Sequence, residues 1–351
     1  SQYSDMAQHM RDALPNASFL GFTGTPLIKG DEQRTREVFG EYVSIYNFKQ
    51  SMEDRATVPL YYENRIPEVH LNAHGEESLN DEMANIIDES MLDEAQEKKI
   101  ERYFSRMYHI ITRDDRLDQI AEDIVSHYMG RGHMGKAMVV AIDKATAVKM
   151  YDKVQVHWKK MKMDFLKRAE TATGPEKEVL MDQFNYMDET DMATVVSGSQ
   201  NEVDDLRKKG VDIAPHRKRM VDEELDVQFK DKDDPLRIVF VCAMWMTGFD
   251  VPSCSTIYLD KPMKNHTLMQ TIARVNRVFK DKPNGLIVDY IGIFRNLEQA
   301  LSIYADPGTD QGNLPIKDKD ELRSLLTSAI EETVAFANGK RVDLIKIRDT
   351  Q

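Results

Sequence analysis

One stretch of this sequence decides the fold: Ile238-Val-Phe-Val-Cys-Ala-Met-Trp-Met-Thr-Gly-Phe-Asp250-Val-Pro252. Its first nine residues are all apolar, which is typical of a strand that is buried on both faces of a parallel sheet. A Gly-Phe-Asp turn follows directly, and glycine at such a point indicates that the chain changes direction. The stretch therefore predicts a core strand that leads into a polar turn.

Helices and strands alternate regularly on both sides of this stretch. Strands are predicted at residues 137–142, 193–196, 237–242, 255–259 and 286–289, and helices at residues 117–128, 144–168 and 202–209. Strands that alternate with helices predict a parallel sheet that helices cover on both faces. We therefore expect an α/β fold over residues 116–305, although the pattern does not give the order of its strands.

The outer parts of the chain break this alternation. Residues 31–115 predict a connecting region, and its amphipathic helix carries nine carboxylates and no base between Glu76 and Glu97. A Gly/Asp/Pro-rich break then precedes a predicted C-terminal helical segment, residues 306–351. The sequence therefore predicts four parts: residues 1–30, 31–115, 116–305 and 306–351.

Two further segments carry candidate site residues. Phe19-Leu-Gly-Phe22 predicts a short strand that runs into Thr23-Gly-Thr25-Pro26, and ligands of open α/β sheets gather at the carboxyl ends of strands. Gln270, Arg274 and Arg277 follow a helical spacing, so we expect them on one helix face. Two guanidinium groups suit a triphosphate, because each offers a planar fork of donors and a positive charge. The same spacing is also typical of a solvated helix face.

Charge and cysteine content restrict the partners and the compartment. The 351 residues have a formal net charge of −13, yet basic residues cluster at Lys159, Lys160, Lys162, Lys167 and Arg168 and again between Arg207 and Arg219. Such clusters are usually solvated surface, but they also suit nucleic-acid phosphates. Two cysteines without metal-ligand spacing and a longest apolar run of nine residues favour a reducing cytoplasm without a membrane partner.

One segment matches phosphate-binding loop motifs but lies between the wrong secondary-structure elements. Gly130-Arg-Gly-His-Met-Gly135-Lys136 matches GxGxxG and the start of GxxxxGK. Both motifs bind phosphate at the N-terminus of a helix that leaves the loop, whereas here a helix enters the loop and a strand leaves it. Ala137 also replaces the hydroxyl that would hold magnesium. The sequence therefore argues against a nucleotide site in this loop.

Taken in order, the remaining motifs resemble motifs III to VI of superfamily 2 helicases. They are Thr23-Gly-Thr-Pro26, the strand at residues 136–143, Thr247-Gly-Phe-Asp250 and Gln270-x-x-x-Arg274-x-x-Arg277. Residues 238–295 are similar, almost continuously, to the restriction (motor) subunit of type I restriction-modification enzymes. The resemblance implies that residues 116–305 form the second RecA-like helicase lobe and residues 1–30 the end of the first lobe.

The resemblance also implies roles for individual residues. The predicted catalytic residues are Arg274, Arg277 and Gln270, which would reach a triphosphate bound to the first lobe. The predicted nucleotide-binding and coupling residues are Asp250, Gly248, Thr23 and Thr25. The predicted DNA-binding residues are Thr247, by resemblance, and Lys159, Lys160, Arg207 and Lys208, from the basic clusters.

In the family, this motor hydrolyses ATP with Mg²⁺ and moves duplex DNA, together with modification (methyltransferase) and specificity subunits. The chain has neither a GxxxxGK[ST] loop nor a DEAH-type box nor the nuclease domain of the family, so we expect the polypeptide by itself to be inactive and to be the C-terminal part of a larger protein. Two alternatives remain at this point: a different superfamily 2 helicase or repair translocase without a nuclease, and a non-catalytic domain that docks on partner subunits.

Overall fold

The computed structural model describes residues 5–22, 43, 44, 46, 48–65, 105–131, 135–246, 248–263, 265–280, 282–292, 316–318, 324, 326–331 and 333–335. Thr23, Thr25, Thr247 and the acidic stretch at residues 76–97 lie outside these residues. The chain separates into two units, residues 1–47 and residues 48–351. The division predicted at residues 30, 115 and 305 stays a prediction.

The smaller unit contains one described helix, α1 (Asp5–Ala13). The guanidinium of Arg11 lies over the ring of Phe19, 4.4 Å from its centroid. The strand predicted at residues 19–22 is wrong: these residues are irregular, and Leu20 and Phe22 are exposed. A strand is stable when neighbouring strands satisfy its backbone groups, and residues 5–22 offer no other segment that pairs with it.

The larger unit is built on a seven-stranded sheet in which every pair of neighbours is parallel. Its strands are β1 (Leu60–Asn64), β2 (Lys136–Ala141), β3 (Asp191–Val195), β4 (Leu236–Val241), β5 (Cys254–Asp260), β6 (Gly285–Asp289) and β7 (Ile316–Asp318). Their spatial order is β3-β4-β2-β5-β6-β1-β7. The predicted α/β fold with a parallel sheet is therefore confirmed.

The five predicted strands correspond to β2 to β6, within two residues at each end. Two strands were not placed in the sheet from sequence: β1 lies in the predicted connecting region, and β7 lies in the predicted C-terminal helical segment. β1 pairs with β6 and β7, which follow it by more than 200 residues. The sequence pattern gives no information on such distant pairing, because tertiary packing determines which strands become neighbours.

Nine described helices belong to the larger unit. They are α2 (Phe48–Glu53), α3 (Ser105–Ile111), α4 (Asp114–Gly130), α5 (Lys144–Thr171), α6 (Gly174–Glu189), α7 (Glu202–Lys208), α8 (Ala214–Asp222), α9 (Leu225–Lys230) and α10 (Asn265–Ile272). Residues 326–331 are also helical. None of the described helices combines the length and the apolar character that crossing a membrane requires.

The core lies between the sheet and its helices. Every residue of β2 and of β5 is buried, as expected for strands that are covered on both faces. The long helix α5 packs on β2, β3 and β4 and against α4 and α6. Its N-terminus is fixed by Asp143, whose carboxylate accepts a hydrogen bond from the Thr146 backbone N–H at 2.7 Å.

A buried ion pair joins α4 to the carboxyl ends of β5 and β6. The Arg116 guanidinium donates to both carboxylate oxygens of Asp260, at 2.6 and 3.1 Å, and to the carbonyl oxygens of Ile111 and Tyr290. Both charged side chains are almost fully buried. Removing either partner would leave an uncompensated charge in the core, which is strongly destabilising.

Candidate functional site

The predicted polar turn lies in the loop of residues 242–253, which connects β4 to β5. Gly248 in this loop has a φ of 68°, and a Cβ built there would meet nothing within 4 Å. The left-handed backbone, rather than lack of space, is therefore what favours glycine at this position. Both Gly248 and Asp250 are exposed, so the turn is accessible from solvent.

The arginine segment does not form one helix face as the spacing predicted. Helix α10 ends at Ile272, and the backbone N–H groups of Arg274 and Val275 donate to carbonyls three residues earlier. Packing explains this early end. Val275 is buried, and its carbonyl lies so close to Gly285 that a Cβ on the glycine would be 2.3 Å from the oxygen. Arg274 consequently lies in the turn that follows the helix, and Arg277 lies beyond this turn, where it forms an antiparallel bridge with Thr57.

Arg277 nevertheless reaches the polar turn. Its Nε lies 3.3 Å from an Asp250 carboxylate oxygen, and the two side chains are 47% and 61% exposed. An exposed ion pair of this kind contributes little to stability, because solvent screens the attraction and ordering two side chains opposes it. Another anion can therefore replace Asp250 as the partner of the Arg277 guanidinium.

Arg274 is held more firmly. It is half-buried, its Nη1 donates to the Phe249 carbonyl, and its Nε donates to the Gln270 carbonyl at 3.1 Å. Burial and then the neighbouring positive charge of Arg277 lower the pKa of Arg274. Gln270 is half-buried on α10 and thus lies next to Arg274. Arg274 therefore connects the end of α10 to the loop of residues 242–253.

Sequence reasoning missed a third basic residue that holds this loop. The Lys282 ammonium donates to the carbonyls of Pro252, at 3.0 Å, and Cys254, at 2.7 Å. Burial lowers the pKa of Lys282 to about 8. No motif contains this lysine, and no sequence signal indicates that its side chain is buried. Arg274, Arg277 and Lys282 thus contact residues 249, 250, 252 and 254 in succession.

A second polar cluster lies at the carboxyl edge of the sheet, next to the ends of β2 and β3. Asp143 accepts a hydrogen bond from the Tyr108 hydroxyl, and Lys209 Nζ lies 3.5 Å from the same carboxylate. The buried Lys144 ammonium donates to the Ser199 hydroxyl at 3.3 Å. Lys144 and Ser199 were also missed, although both follow predicted strands. The rule that ligands bind beyond the carboxyl ends of strands could have indicated them.

The predicted DNA-binding lysines and arginines fall into two separate places. Arg207 and Lys208 lie at the end of α7, near the carboxyl edge, and pair with Asp204 and Asp205 of the same helix at 3.4 and 3.0 Å. Lys159 and Lys160 are exposed on α5, about 22 Å along that helix from its start at the carboxyl edge. The structure therefore does not bring the two basic clusters together.

A polar cavity of about 370 Å³ lies on another part of the sheet. It is lined by Glu63, Arg65, Ser126, His127, Gly130, Arg131 and Leu286. Its charged groups already have partners: Arg65 Nε donates to Glu63 at 2.6 Å, and His127 contacts Glu63 at 3.4 Å. None of the predicted catalytic, nucleotide-binding or DNA-binding residues lines this cavity.

A metal site would need several ligands close together. Within the part of the chain that the structure describes, no three His, Cys, Asp or Glu side chains are grouped so that they could hold a metal ion. The binding of Mg²⁺ that the resemblance implies for the complete protein therefore stays a prediction.

The parallel sheet, with helices on both faces and a basic turn packed against the loop after β4, defines a RecA-like α/β fold. A fragment of an HsdR subunit of a type I restriction enzyme from Vibrio vulnificus YJ016 shares this fold, with a TM-score of 0.50 and 18% identity over 89% of this chain and 47% of that chain. Residues 133–292 match the family model described as type I restriction enzyme subunit R domain 3, and residues 1–99 match SWI2/SNF2 ATPase.

Curated relatives extend the similarity over most of the chain. The chain is 38% identical over 308 residues to the type I restriction enzyme MjaIXP endonuclease subunit of Methanocaldococcus jannaschii. It is 36% identical over 313 residues to the type I restriction enzyme HindI endonuclease subunit of Haemophilus influenzae. These alignments cover 87% and 88% of this chain and 26% of each relative. The resemblance inferred from the motifs is confirmed: the chain is related to the endonuclease (R) subunits of type I restriction enzymes and spans about a quarter of their length.

Proposed function

We propose that this chain is part of the ATP-hydrolysing motor subunit of a type I restriction endonuclease, and that the complete protein moves duplex DNA before cleavage. The relatives are named as endonuclease subunits, and residues 1–99 match an ATPase model, so the complete protein belongs among the hydrolases. By the same resemblance, modification and specificity subunits are its partners. The DNA sequence that it recognises is assigned to the specificity subunit.

The observation that carries this proposal is the exposed guanidinium of Arg277 beside the exposed carboxylate of Asp250. Because their ion pair is weak, a phosphoryl group presented by a nucleotide on the first lobe can replace Asp250 as the partner of Arg277. The planar guanidinium would then place positive charge on the oxygens where negative charge develops during phosphoryl transfer. In this mechanism Asp250 holds Arg277 in place until negative charge develops on the phosphoryl oxygens during the reaction step.

Arg274 has a different part in the same mechanism. Its Nε and Nη1 donate to the carbonyls of Gln270 and Phe249, so Arg274 is fixed to the loop that presents Asp250. This geometry supports Arg277 as the residue that contacts the triphosphate and Arg274 as the residue that sets the loop. Gln270 supplies one of the two anchors of Arg274.

The DNA path is proposed along the carboxyl edge of the sheet. Arg207 and Lys208 lie near this edge, and their exposed pairs with Asp204 and Asp205 are weak enough for phosphates to replace. Lys159 lies about 22 Å along α5 from the edge, whereas Lys209, the neighbour of Lys208, lies 3.5 Å from Asp143 at the edge. We therefore favour the α7 residues over the α5 lysines as phosphate contacts.

The test of the motor function is DNA-stimulated ATP hydrolysis by the complete subunit. Arg277→Ala should lower the rate by about 10³- to 10⁵-fold, and Arg277→Lys should recover little of it because lysine lacks the planar fork. Arg113→Ala is the matched control, because Arg113 lies outside both basic clusters and pairs with Asp115 through side chains that are 48% and 61% exposed. The thermal melt should stay near that of the unmodified protein.

Two results would argue against the proposal. Near-normal hydrolysis by Arg277→Ala with an unchanged melt would refute the assignment of Arg277. Absence of DNA-stimulated hydrolysis in the unmodified complete subunit would favour the docking-domain alternative. A complete protein that hydrolyses ATP on DNA but has no nuclease domain would favour a helicase or repair translocase.

A further inference from the structure

Three aromatic rings stack beside the loop that presents Asp250. Trp245 lies 4.3 Å from Phe249, centroid to centroid, with the two planes inclined by 14°. Phe229, at the end of α9, stacks on the other two rings at 5.7 Å from Trp245 and 6.4 Å from Phe249. Separations of this size are typical of aromatic pairs that attract each other beyond simple burial.

Ammonium groups lie near two of the three rings. The Lys230 ammonium lies 4.9 Å from the Phe249 centroid, and the Lys136 ammonium lies 5.3 Å from the Phe229 centroid. An ammonium group is attracted to the negative face of an aromatic ring. The stack therefore fixes residue 249 through its side chain, while Arg274 fixes the same residue through its backbone carbonyl.

Trp245 adopts a backbone conformation that an aromatic residue rarely takes. Its φ is 66°, in the left-handed region, three residues before Gly248 with a φ of 68°. A bulky side chain is strained there, and such strain persists only where the surroundings hold the residue firmly. Phe229 and Phe249 are buried, but Trp245 is only half-buried. Burial by itself therefore does not account for a tryptophan at this position.

We propose that Trp245 is a positioning residue for the reaction: it holds Phe249 so that the next residue, Asp250, faces Arg277. This inference rests on the proposed function of that site. The stacking of Phe249 and the ion pair of Asp250 are directly linked, because residues 249 and 250 are neighbours in the chain. Trp245 touches neither substrate nor nucleotide in this proposal and acts only through the loop.

The experiment compares three variants of the complete subunit in DNA-stimulated ATP hydrolysis. Trp245→Ala removes the ring that stacks at 4.3 Å on Phe249, and Trp245→Gly removes both this ring and the backbone strain, since glycine takes a positive φ without steric conflict. We expect both variants to lower kcat by about 10- to 100-fold, as small misplacements of reacting groups do. The KM for ATP should stay within about twofold, because the loss falls on the reaction step rather than on binding.

Trp245→Phe keeps a flat ring that can stack on Phe249. This variant should therefore retain most of the unmodified protein's kcat. Trp245→Gly should melt no lower than Trp245→Ala, so lost activity in the glycine variant reports positioning rather than folding. Wild-type kcat in the alanine or glycine variant would overturn the proposal. Unfolding of both, or an equal loss in the phenylalanine variant, would overturn it as well.

The unmodified subunit separates this inference from the function on which it rests. If it shows no DNA-stimulated hydrolysis, the proposed function fails. If it is active and Trp245→Ala is equally active, only the positioning role fails. A further readout is the double variant Trp245→Ala/Arg274→Ala. Because both residues hold Phe249, its loss of kcat should be smaller than the product of the two single losses, whereas a full product would contradict a shared role.

Discussion

Two buried lysines predict that the stability of the larger unit rises with pH. Lys136 begins β2 and donates to the Gln228 carbonyl at 2.9 Å, and Lys282 precedes β6 and donates to the Pro252 and Cys254 carbonyls. Both lysines are at most 4% exposed. Burial lowers the pKa of each from 10.5 to about 8, because the charged form loses its hydration.

The sign follows from the protons that each state binds. Between about pH 8 and the ordinary value, the folded protein holds fewer protons on these lysines than the unfolded chain, so the free energy of unfolding increases with pH. From pH 7 to pH 8.5 each lysine contributes about 0.8 kcal/mol, and the two together about 1.6 kcal/mol. Burial raises the pKa of the Cys254 thiol to about 11, which opposes the trend only near and above its ordinary value of 9.

The assay is urea denaturation at the two pH values. The unmodified protein should gain about 1.6 kcal/mol, Lys136→Met and Lys282→Met should each keep roughly half of that gain, and the double variant should show almost none. Lys159→Met, at an exposed position on α5, is the control and should keep the full gain. An unchanged gain in the double variant would refute the reasoning.

Three further predictions concern the ion pair, the DNA path and the chain by itself. Arg116→Met should lower stability by about 3–5 kcal/mol, and adding Asp260→Leu should recover part of the loss by removing the unpaired buried charge; equal stability of the single and double variants in denaturant titrations would contradict this. Arg207→Glu should weaken low-salt DNA binding, measured by fluorescence anisotropy, more than Lys159→Glu does, and equal effects would count against a path along the carboxyl edge. The chain by itself should release phosphate from ATP far more slowly than about 1 per second, since it lacks a phosphate-binding loop; faster release would show that the nucleotide site was misplaced.

Much of the fold was predictable because its signal is local. The apolar run that begins at Ile238 and the alternation of strands with helices identified β2 to β6 and their parallel arrangement. The additional strands β1 and β7 were not placed in the sheet, because their partners are far away in the chain. The strand expected at residues 19–22 failed for the related reason that an apolar segment becomes a strand only when another segment pairs with it.

The candidate site was predictable in its residue types but not in its geometry. The spacing of Gln270, Arg274 and Arg277 suggested one helix face, yet packing of Val275 against Gly285 ends the helix at Ile272. Their predicted roles, and those of Gly248 and Asp250, stay predictions. So do the assignments of Thr23, Thr25 and Thr247, which lie outside the described residues.

The sequence by itself determined the fold class, the strand that leads into the polar turn and the family to which the chain is related. Hydrophobic periodicity and motifs of neighbouring residues indicate these properties, and both can be recognised without knowing which distant residues are in contact. Only the tertiary structure decided the strand order, the contact of Arg277 with Asp250, the burial of Lys282 and the stack around Trp245. Each of these joins residues that are separated along the chain, and a side chain's charge, pKa and backbone strain depend on the partners that folding brings to it.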